Sequence, residues 1–309
     1  MVAGAMLGAL VLDAVIGWPD AVFDRIGHPV TWAGKLIDAC DRRFNHGPPL
    51  QRRLAGIATA VGITTAAYLA TALILWLMPG QTALYATILL AWPLIAARSL
   101  HDHVKAVALP LSQGNLPAAR AAVAMIVGRD PDRLDEPGVA RAALESLAEN
   151  ASDGVIAPLF WGVLLGLPGL AAYKAINTMD SMIGHLTPRH AAFGWAAARI
   201  DDIVNLIPAR LTGLLFAAVS GQLKPALHCM WRDARLHRSP NAGWPEAAMA
   251  GALGVRLSGP RAYDGQMSSE PWVNDGARDP VAQDLALGLM LYLKAILAVA
   301  VALAVLALI

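Results

Sequence analysis

Long uncharged stretches alternate with shorter polar stretches along the chain. Residues 54–78 contain no charged side chain, and neither do residues 81–97. A helix of about 20 predominantly apolar residues is long enough to cross the hydrocarbon core of a bilayer. Each stretch therefore predicts a membrane helix, and the Pro79-Gly80 pair between them predicts a tight turn.

Four further apolar stretches are less regular, because each contains a charged residue or several prolines and glycines. They lie at residues 1–17, 155–173, 203–223 and 285–309. Backbone polar groups within lipid must be hydrogen-bonded inside the protein, which favours helices. The pattern predicts an all-α, polytopic helical integral membrane protein with four to six membrane segments, some broken or re-entrant. We expect one membrane-embedded domain over residues 1–309, with cytoplasmic helical loops.

The composition agrees with a membrane protein, since 56% of the residues are hydrophobic and only 15% are charged. Soluble domains average about 25% charged residues. A net charge of +1 provides no general electrostatic basis for nucleic-acid binding, so no nucleic-acid partner is expected. Cys40 and Cys229 lie far apart without metal-ligand spacing, and we expect both to be reduced and inert.

The distribution of basic residues predicts the orientation of the chain. Segments 17–53 and 98–154 contain six Lys and Arg each, and segment 224–284 contains seven. Basic loops stay on the cytoplasmic side of a membrane, which places all three segments in the cytoplasm. The region 155–210 can either cross twice or re-enter, and its prolines and glycines favour re-entry, which is tolerated only where protein or a cavity covers the backbone.

The first acidic cluster is LESLAENASDGV, residues 144–155. Glu145 and Glu149 are four residues apart and share one face of a predicted helix. Gly154 is predicted to end that helix, which would place Asp153 just beyond it. The alternative is an ordinary ion pair between Arg141 and Glu145 on a solvated helix.

Two more acidic clusters lie among large apolar residues, in AINTMDSMIG (175–184) and ARIDDIVNLIPAR (198–210). Helical spacing lets Asn177 converge with Asp180, and Asp201 with Asn205. Carboxylates at bilayer depth are costly, so they predict a functional site. The alternative is a purely structural role for these acids. In that case Arg199 and Arg210 would neutralise Asp201 and Asp202 in buried ion pairs.

These residue types suit a phosphate-handling site. Glu, Asp and Asn oxygens bind Mg²⁺, which takes one or two carboxylates and shares its remaining positions with water and substrate phosphates. Interleaved basic residues would bind the anion: Arg129, Arg141, Lys174, Arg199 and Arg210. The sequence contains no P-loop motif. His28, in the early HP dipeptide, is a further candidate for ligand contact.

Several stretches together resemble one family, the CobD/CbiB proteins of cobalamin biosynthesis, or adenosylcobinamide-phosphate synthases. ENxSDG, YKAINTxDSMIG and DDxxNxxPAR occur in series within the matching segments. These segments are 12–37, 128–161, 171–185, 193–211 and 239–260. The chain departs from the family pattern at Pro131, at His185-Leu186 and at 258–260, all outside the acidic positions.

The resemblance implies a membrane-bound, ATP-dependent carbon-nitrogen ligase. Its substrates would be adenosylcobyric acid and (R)-1-amino-2-propanol or its O-phosphate, with ATP and Mg²⁺ as cofactors. It also implies the bacterial inner membrane, with contact to the lipid bilayer and possible association with other enzymes of the cobalamin pathway.

The residues picked out above divide among three expected roles. Catalytic roles are expected for Glu145, Glu149, Asp153, Lys174 and Asp180. Substrate or phosphate binding is expected for His28, Arg129, Arg141, Asn150, Asn177, Ser181, Arg199, Asn205 and Arg210. Metal binding is expected for Glu149, Asp153, Asp180, Asp201 and Asp202.

Three other functions compete with this interpretation. An Mg²⁺-dependent intramembrane prenyltransferase would need DDxxD-type spacing, which the sequence lacks. A transporter could use intramembrane acids and broken helices, but it predicts inverted repeats that are not visible in the sequence. A non-catalytic signalling relative on the same fold is the third, and the retention of all the acids speaks against it.

Overall fold

Helices make up most of the described chain, as the apolar pattern predicts. The structure, a computed structural model, describes residues 1–127, 131–263 and 266–309. The first eight helices are α1 (Val2–Ile16), α2 (Asp20–Ile26), α3 (Pro29–Phe44), α4 (Pro49–Leu77), α5 (Gln81–Ala91), α6 (Ala97–Ser112), α7 (Leu116–Val123) and α8 (Glu136–Ala151). The others are α9 (Ala157–Ile183), α10 (Trp195–Val204), α11 (Leu206–Val219), α12 (Leu223–Asp233), α13 (Gly243–Leu253) and α14 (Ala282–Leu308).

Four short strands lie between α13 and α14. They are β1 (Leu257–Ser258), β2 (Arg261–Tyr263), β3 (Gln266–Ser268) and β4 (Trp272–Val273). β1 pairs antiparallel with β4, and β2 pairs antiparallel with β3. In the first pair Leu257 stands opposite Val273, and Ser258 stands opposite Trp272. The strands therefore form two small ribbons in an otherwise helical protein.

Within the described residues, four helices are long and apolar enough to span a membrane. They are Pro49–Leu77, Gln81–Ser112, Glu136–Ile183 and Ala282–Leu308, each taken through any short break. Two bent pairs raise the number to six: Val2–Ile16 with Asp20–Phe44, bent by 108°, and Trp195–Val204 with Leu206–Val219, bent by 47°. The prediction of four to six segments, some broken or re-entrant, is confirmed.

The predicted helix end at Gly154 is wrong. α8 is followed by a π-helical turn over Ser152–Ile156, and α9 begins at Ala157. Gly154 is buried, so packing outweighs the low helix propensity of glycine. The break in the apolar run comes later, at Gly166, whose φ of 69° and ψ of −165° are non-helical. A glycine adopts this conformation without the steric cost that a side chain would impose.

The chain divides into two compact units. The first contains residues 1–96, 157–205 and 303–309, and the second contains residues 97–156 and 206–302. In the first unit Gly56 of α4 packs against the backbone of Phe193 so closely that a Cβ at Gly56 would overlap the Phe193 carbonyl oxygen. Small residues permit such close backbone approach between membrane helices.

The core of the second unit is built largely from alanine and leucine. α8 is buried on nearly every side from Val139 to Ala148 and packs with α6, α13 and α14. Gly288 of α14 lies against the Leu144 side chain, which a Cβ at that position would displace. A helix that is apolar almost all round is a buried helix. Because Glu145 lies in these apolar surroundings, its charge needs a hydrogen-bonded partner.

Candidate functional site

A buried polar chain in the first unit links α9 to the last acidic cluster. The Tyr173 hydroxyl of α9 donates to Asn205 Oδ1 at 2.9 Å. Asn205 Nδ2 in turn donates to Asp201 Oδ2, also at 2.9 Å. Asn205 caps α10 at its C-terminus, one turn after Asp201, as the helical spacing predicted. The chain therefore fixes the Asp201 carboxylate from one side.

The other oxygen of this carboxylate remains available. Asp201 is 8% exposed, and its Oδ1 accepts no hydrogen bond from the residues that the structure describes. The Asn177 side chain lies beside this carboxylate. Asp180 and Asp202 are close enough to repel the Asp201 charge. A buried carboxylate oxygen with like charges nearby is a favourable position for a cation or an N–H donor.

The structural alternative of buried ion pairs is met only in part, at Asp202, because the Arg199 side chain that pairs with it is 58% exposed. The guanidinium of Arg199 pairs with Asp202 Oδ2 at 2.8 Å. Arg210, in the second unit, instead donates to the Leu206 carbonyl at 2.6 Å and stacks over the Trp244 ring at 4.4 Å. These contacts of Arg210 therefore include neither Asp201 nor Asp202.

The end of α9 positions Asp180. A Cβ at Gly184 would overlap Asp180 Oδ1, so glycine leaves the space that this carboxylate occupies. Ser181 is exposed, and its hydroxyl donates to the Asn177 carbonyl at 2.9 Å, one helical turn earlier. Asp180 is half-buried and therefore more enclosed than Ser181.

His28 has a structural role at the start of α3. Its Nδ1 accepts from the Val30 amide at 3.2 Å, and Thr31 completes the capping box. The ring packs edge-on against Trp18, with centroids 5.1 Å apart. Lys174 of α9 is close enough to interact with it electrostatically. The structure thus brings two predicted site residues of the first unit, His28 and Lys174, near each other.

In the second unit, Glu145 holds the β1 turn. Its Oε1 accepts from the Ser258 amide at 2.7 Å, and both residues are almost fully buried. Ser258 has a φ of 61°, an uncommon conformation for a residue with a side chain. The alternative pairing of Glu145 with Arg141 is wrong, since Arg141 pairs with Asp279.

The other predicted residues of α8 and the π turn are more accessible. Glu149 and Asn150 are exposed, and Asp153 is half-buried within Ser152–Ile156. Asn150 Nδ2 donates to the Ser146 carbonyl at 2.9 Å. π-helical turns occur frequently at functional sites, which agrees with the location of Asp153. Arg129, predicted to bind phosphate, lies outside the described residues.

Arg141 belongs to a cluster with Arg256, Asp279 and Trp272. Arg141 and Arg256 both bond Asp279, at 2.6 Å and 2.7 Å, and both stack over the Trp272 ring. Hydrogen bonds from Arg256 lower the pKa of Asp279 to about 2, with a further contribution from Arg141. Sequence spacing gave no indication of this cluster, because Arg141 and Asp279 are 138 residues apart.

With this geometry in place, comparison with known proteins identifies the relatives of the chain. The family described as CobD/Cbib protein matches residues 6–292. The chain belongs to the CobD/Cbib family. A cobalamin biosynthesis protein CobD of Rhodobacter capsulatus is 60% identical to it, with 95% of this chain and 93% of that protein covered. One from Brucella suis is 50% identical, covering 92% and 90%. No solved structure was found to match.

Two of the motifs quoted in the sequence analysis contain the residues of this network and the neighbouring Asp180. DDxxNxxPAR contains Asp201 and Asn205, and YKAINTxDSMIG contains Tyr173 and Asp180. Sequence reasoning selected three of these four residues. It missed Tyr173, although the tyrosine lies directly before Lys174 in a predicted site motif. An aromatic hydroxyl within an apolar helix needs a partner, and that requirement is the signal that could have identified Tyr173.

The predicted magnesium ligands divide between the two units. Glu149 and Asp153 belong to the second, whereas Asp180, Asp201 and Asp202 belong to the first. Among residues 1–127, 131–263 and 266–309, no group of three or more His, Cys, Asp or Glu side chains is arranged to hold a metal ion. Mg²⁺ needs only one or two protein carboxylates when substrate phosphates complete its shell. The open oxygen of Asp201 beside Asp180 fits that smaller requirement.

Proposed function

We propose that this protein is the membrane-bound enzyme of cobalamin biosynthesis that amidates a corrinoid propionate. It joins the amine of (R)-1-amino-2-propanol, or of its O-phosphate, to the propionate carboxylate of adenosylcobyric acid. Membership of the CobD/Cbib family over residues 6–292 is the observation that carries the proposal. The relatives' name, cobalamin biosynthesis protein CobD, supports the same pathway.

The chemistry requires activation of the carboxylate, because an oxide or hydroxide is too poor a leaving group. A propionate oxygen attacks the γ-phosphorus of ATP, forming an acyl phosphate and releasing ADP. The amine nitrogen then attacks the acyl carbon, the C–O bond to phosphate breaks, and inorganic phosphate leaves. The ammonium proton passes to a carboxylate acting as general base.

The first-unit acids are suited to this reaction. Mg²⁺, held by Asp180 and Asp201, would neutralise phosphate charge. The remaining side chains act directly on the substrates. Lys174 and Arg199 would attract the phosphoryl group. Asn177, beside Asp201, offers an amide for the corrinoid side chains.

The proposal includes the bacterial inner membrane as the location, with the large polar segments in the cytoplasm. The four to six candidate spans support a multi-pass protein. The basic segments 98–154 and 224–284 would then face the compartment that contains ATP.

The test is a reconstituted reaction. The full-length protein, purified in detergent, is supplied with adenosylcobyric acid, Mg²⁺-ATP and either amine, and the amide product is measured by mass spectrometry. We expect product with at least one of the two amines and none when ATP is omitted. Absence of product with both amines would contradict the proposed function.

A further inference from the structure

A cavity in the second unit brings Arg210 together with six residues that have no role assigned above. Its volume is about 420 Å³, within the range of roughly 300–1,000 Å³ that small-molecule sites occupy. It lies where α11, the end of α12 and the start of α13 meet. The lining residues are Arg210, Trp231, Arg235, His237, Ser239, Pro240 and Trp244.

The charge of this lining is positive. It contains two guanidinium groups and one imidazole, and no carboxylate is among the lining residues. Arg210 and Arg235 are close enough to repel each other. Arg235 has no hydrogen bond or ion pair to any residue in the described part of the chain, although α12 carries Asp233 only two positions earlier. Asp233 is occupied by Arg232, which bonds it at 2.6 Å.

The first guanidinium is held in a fixed orientation. Arg210 donates one hydrogen bond to the Leu206 carbonyl and lies flat over Trp244 at 4.4 Å. A guanidinium has five N–H donors, so others stay available to a ligand. The Trp244 ring is itself fixed by a bond from Nε1 to the Pro240 carbonyl at 3.1 Å. Such pre-orientation reduces the entropy lost when a ligand binds.

Polar groups of the following turn complete the cavity. The Ser239 oxygen accepts from the amides of Asn241 and Ala242, at 3.2 Å and 3.3 Å. Its own hydroxyl hydrogen is therefore left for an acceptor in the cavity. The His237 ring accepts from the Ser239 amide at 3.0 Å and lies 3.7 Å from Glu246. The buried Glu246 carboxylate stands behind the His237 ring, on the side of its Nε2 atom.

We propose that this cavity binds a phosphate group, with Arg210 and Arg235 as its charged ligands and the Ser239 hydroxyl as a neutral donor. Two adjacent guanidinium groups match the paired oxygens of a phosphate and lose their mutual repulsion when one binds. Trp231 is 58% exposed and packs edge-on against Trp244, so its ring offers an apolar wall beside the phosphate.

The phosphate can belong to a soluble substrate or to a lipid headgroup, and the two sources can be distinguished by experiment. Pyrophosphate and ATP are titrated into the full-length protein in detergent, without corrinoid or amine, and binding is measured by calorimetry. Phosphatidylglycerol is then offered in nanodiscs, with phosphatidylcholine nanodiscs as reference, and retained lipid is counted by native mass spectrometry. Because these experiments measure binding and not turnover, their outcome does not depend on whether the proposed function is correct.

Arg235→Gln is the decisive variant, and Lys224→Gln is its matched control. Lys224 is an exposed cation on α12 outside the cavity, so its loss changes the net charge by the same amount. We expect Arg235→Gln to weaken binding of the phosphate-bearing probe by about tenfold or more, and Lys224→Gln to leave it within about twofold. Arg235→Lys, which keeps the charge but not the bidentate fork, should weaken it to an intermediate degree.

The pattern of results decides both the proposal and the source. Loss of ATP or pyrophosphate binding in Arg235→Gln supports a soluble phosphorylated ligand. Loss of retained phosphatidylglycerol alone supports a lipid headgroup. If no probe binds, or if Arg235→Gln and Lys224→Gln weaken binding equally, the cavity is not a phosphate site. Arg235→Lys provides the same comparison if Arg235→Gln fails to fold.

Discussion

The Asn205 side chain bonds Asp201 from one helical turn away, with 2.9 Å between Nδ2 and Oδ2, and leaves the second carboxylate oxygen without a hydrogen bond among the described residues. This arrangement separates two functions within one carboxylate. Oδ2 fixes the orientation of the group, and Oδ1 is free to meet a substrate or a cation. The first two predictions concern this carboxylate and its neighbour Asp180.

Asp201→Asn should abolish most amide formation without unfolding the protein. The amide keeps the size of the carboxylate but removes the charge that would hold Mg²⁺ or accept a proton, and we expect turnover to fall by about 100-fold or more. Turnover is measured by mass spectrometry, and folding by thermal unfolding in detergent. Asp24→Asn, at an exposed position of α2, is the control. Near-normal turnover in Asp201→Asn would remove this residue from the proposed site.

Gly184→Ala tests Asp180 without altering any charge. The added Cβ overlaps Asp180 Oδ1, so the carboxylate must move from its present position. A displacement of about 1 Å in a site can reduce the rate by about 100-fold, and we expect a loss of that order in amide formation. Gly62→Ala on α4 is matched to it, because a Cβ there meets nothing within 4 Å. Equal activity of the two alanine variants would show that the position of Asp180 is unimportant.

Much of the fold and part of this site could be predicted from the sequence. Uncharged runs such as 54–78 specify membrane helices, and the i,i+4 spacing of Asp201 and Asn205 correctly predicted that they meet. Contacts across long separations could not be predicted, because no local period connects Glu145 to Ser258, 113 residues later. Gly154 misled the prediction for a related reason, since tertiary packing overrides a residue's own tendency to end a helix.

Glu145→Ala should destabilise the second unit, whereas Glu145→Gln should be tolerated. Alanine leaves the buried Ser258 amide without its acceptor, which costs about 1–3 kcal/mol of unfolding free energy. Glutamine retains a carbonyl oxygen where Oε1 now lies. Thermal unfolding in detergent compares both with Glu149→Ala, an exposed position one turn further along α8. A stable Glu145→Ala protein that has lost activity would instead favour the catalytic role predicted for Glu145.

The protein should lose stability in acid through Asp279. Its folded pKa of about 2 lies below the ordinary value near 4, because Arg256 and Arg141 bond the ionised form. The resulting stabilisation is complete above the unfolded pKa and is lost as the pH falls from about 4 toward 2. The Asp279 side chain is 33% exposed, so solvent and salt reduce the effect. Unfolding temperatures measured from pH 6 to pH 3 should fall less steeply in Asp279→Asn than in Asp24→Asn.

Cys229 should resist alkylation as long as the protein is folded. Burial, together with the smaller effect of the neighbouring Asp233 carboxylate, raises the pKa of the Cys229 thiol to about 12. The thiolate is the reactive form, so almost none is present at neutral pH. Maleimide labelling of the folded Cys40→Ser variant, followed by mass spectrometry, should therefore detect no adduct, whereas labelling after denaturation should modify Cys229 fully. Cys229→Ser is the counterpart, in which only the half-buried Cys40 can react. Rapid labelling of Cys229 in the native protein would mean that the packing of α12 against α13 opens readily in solution.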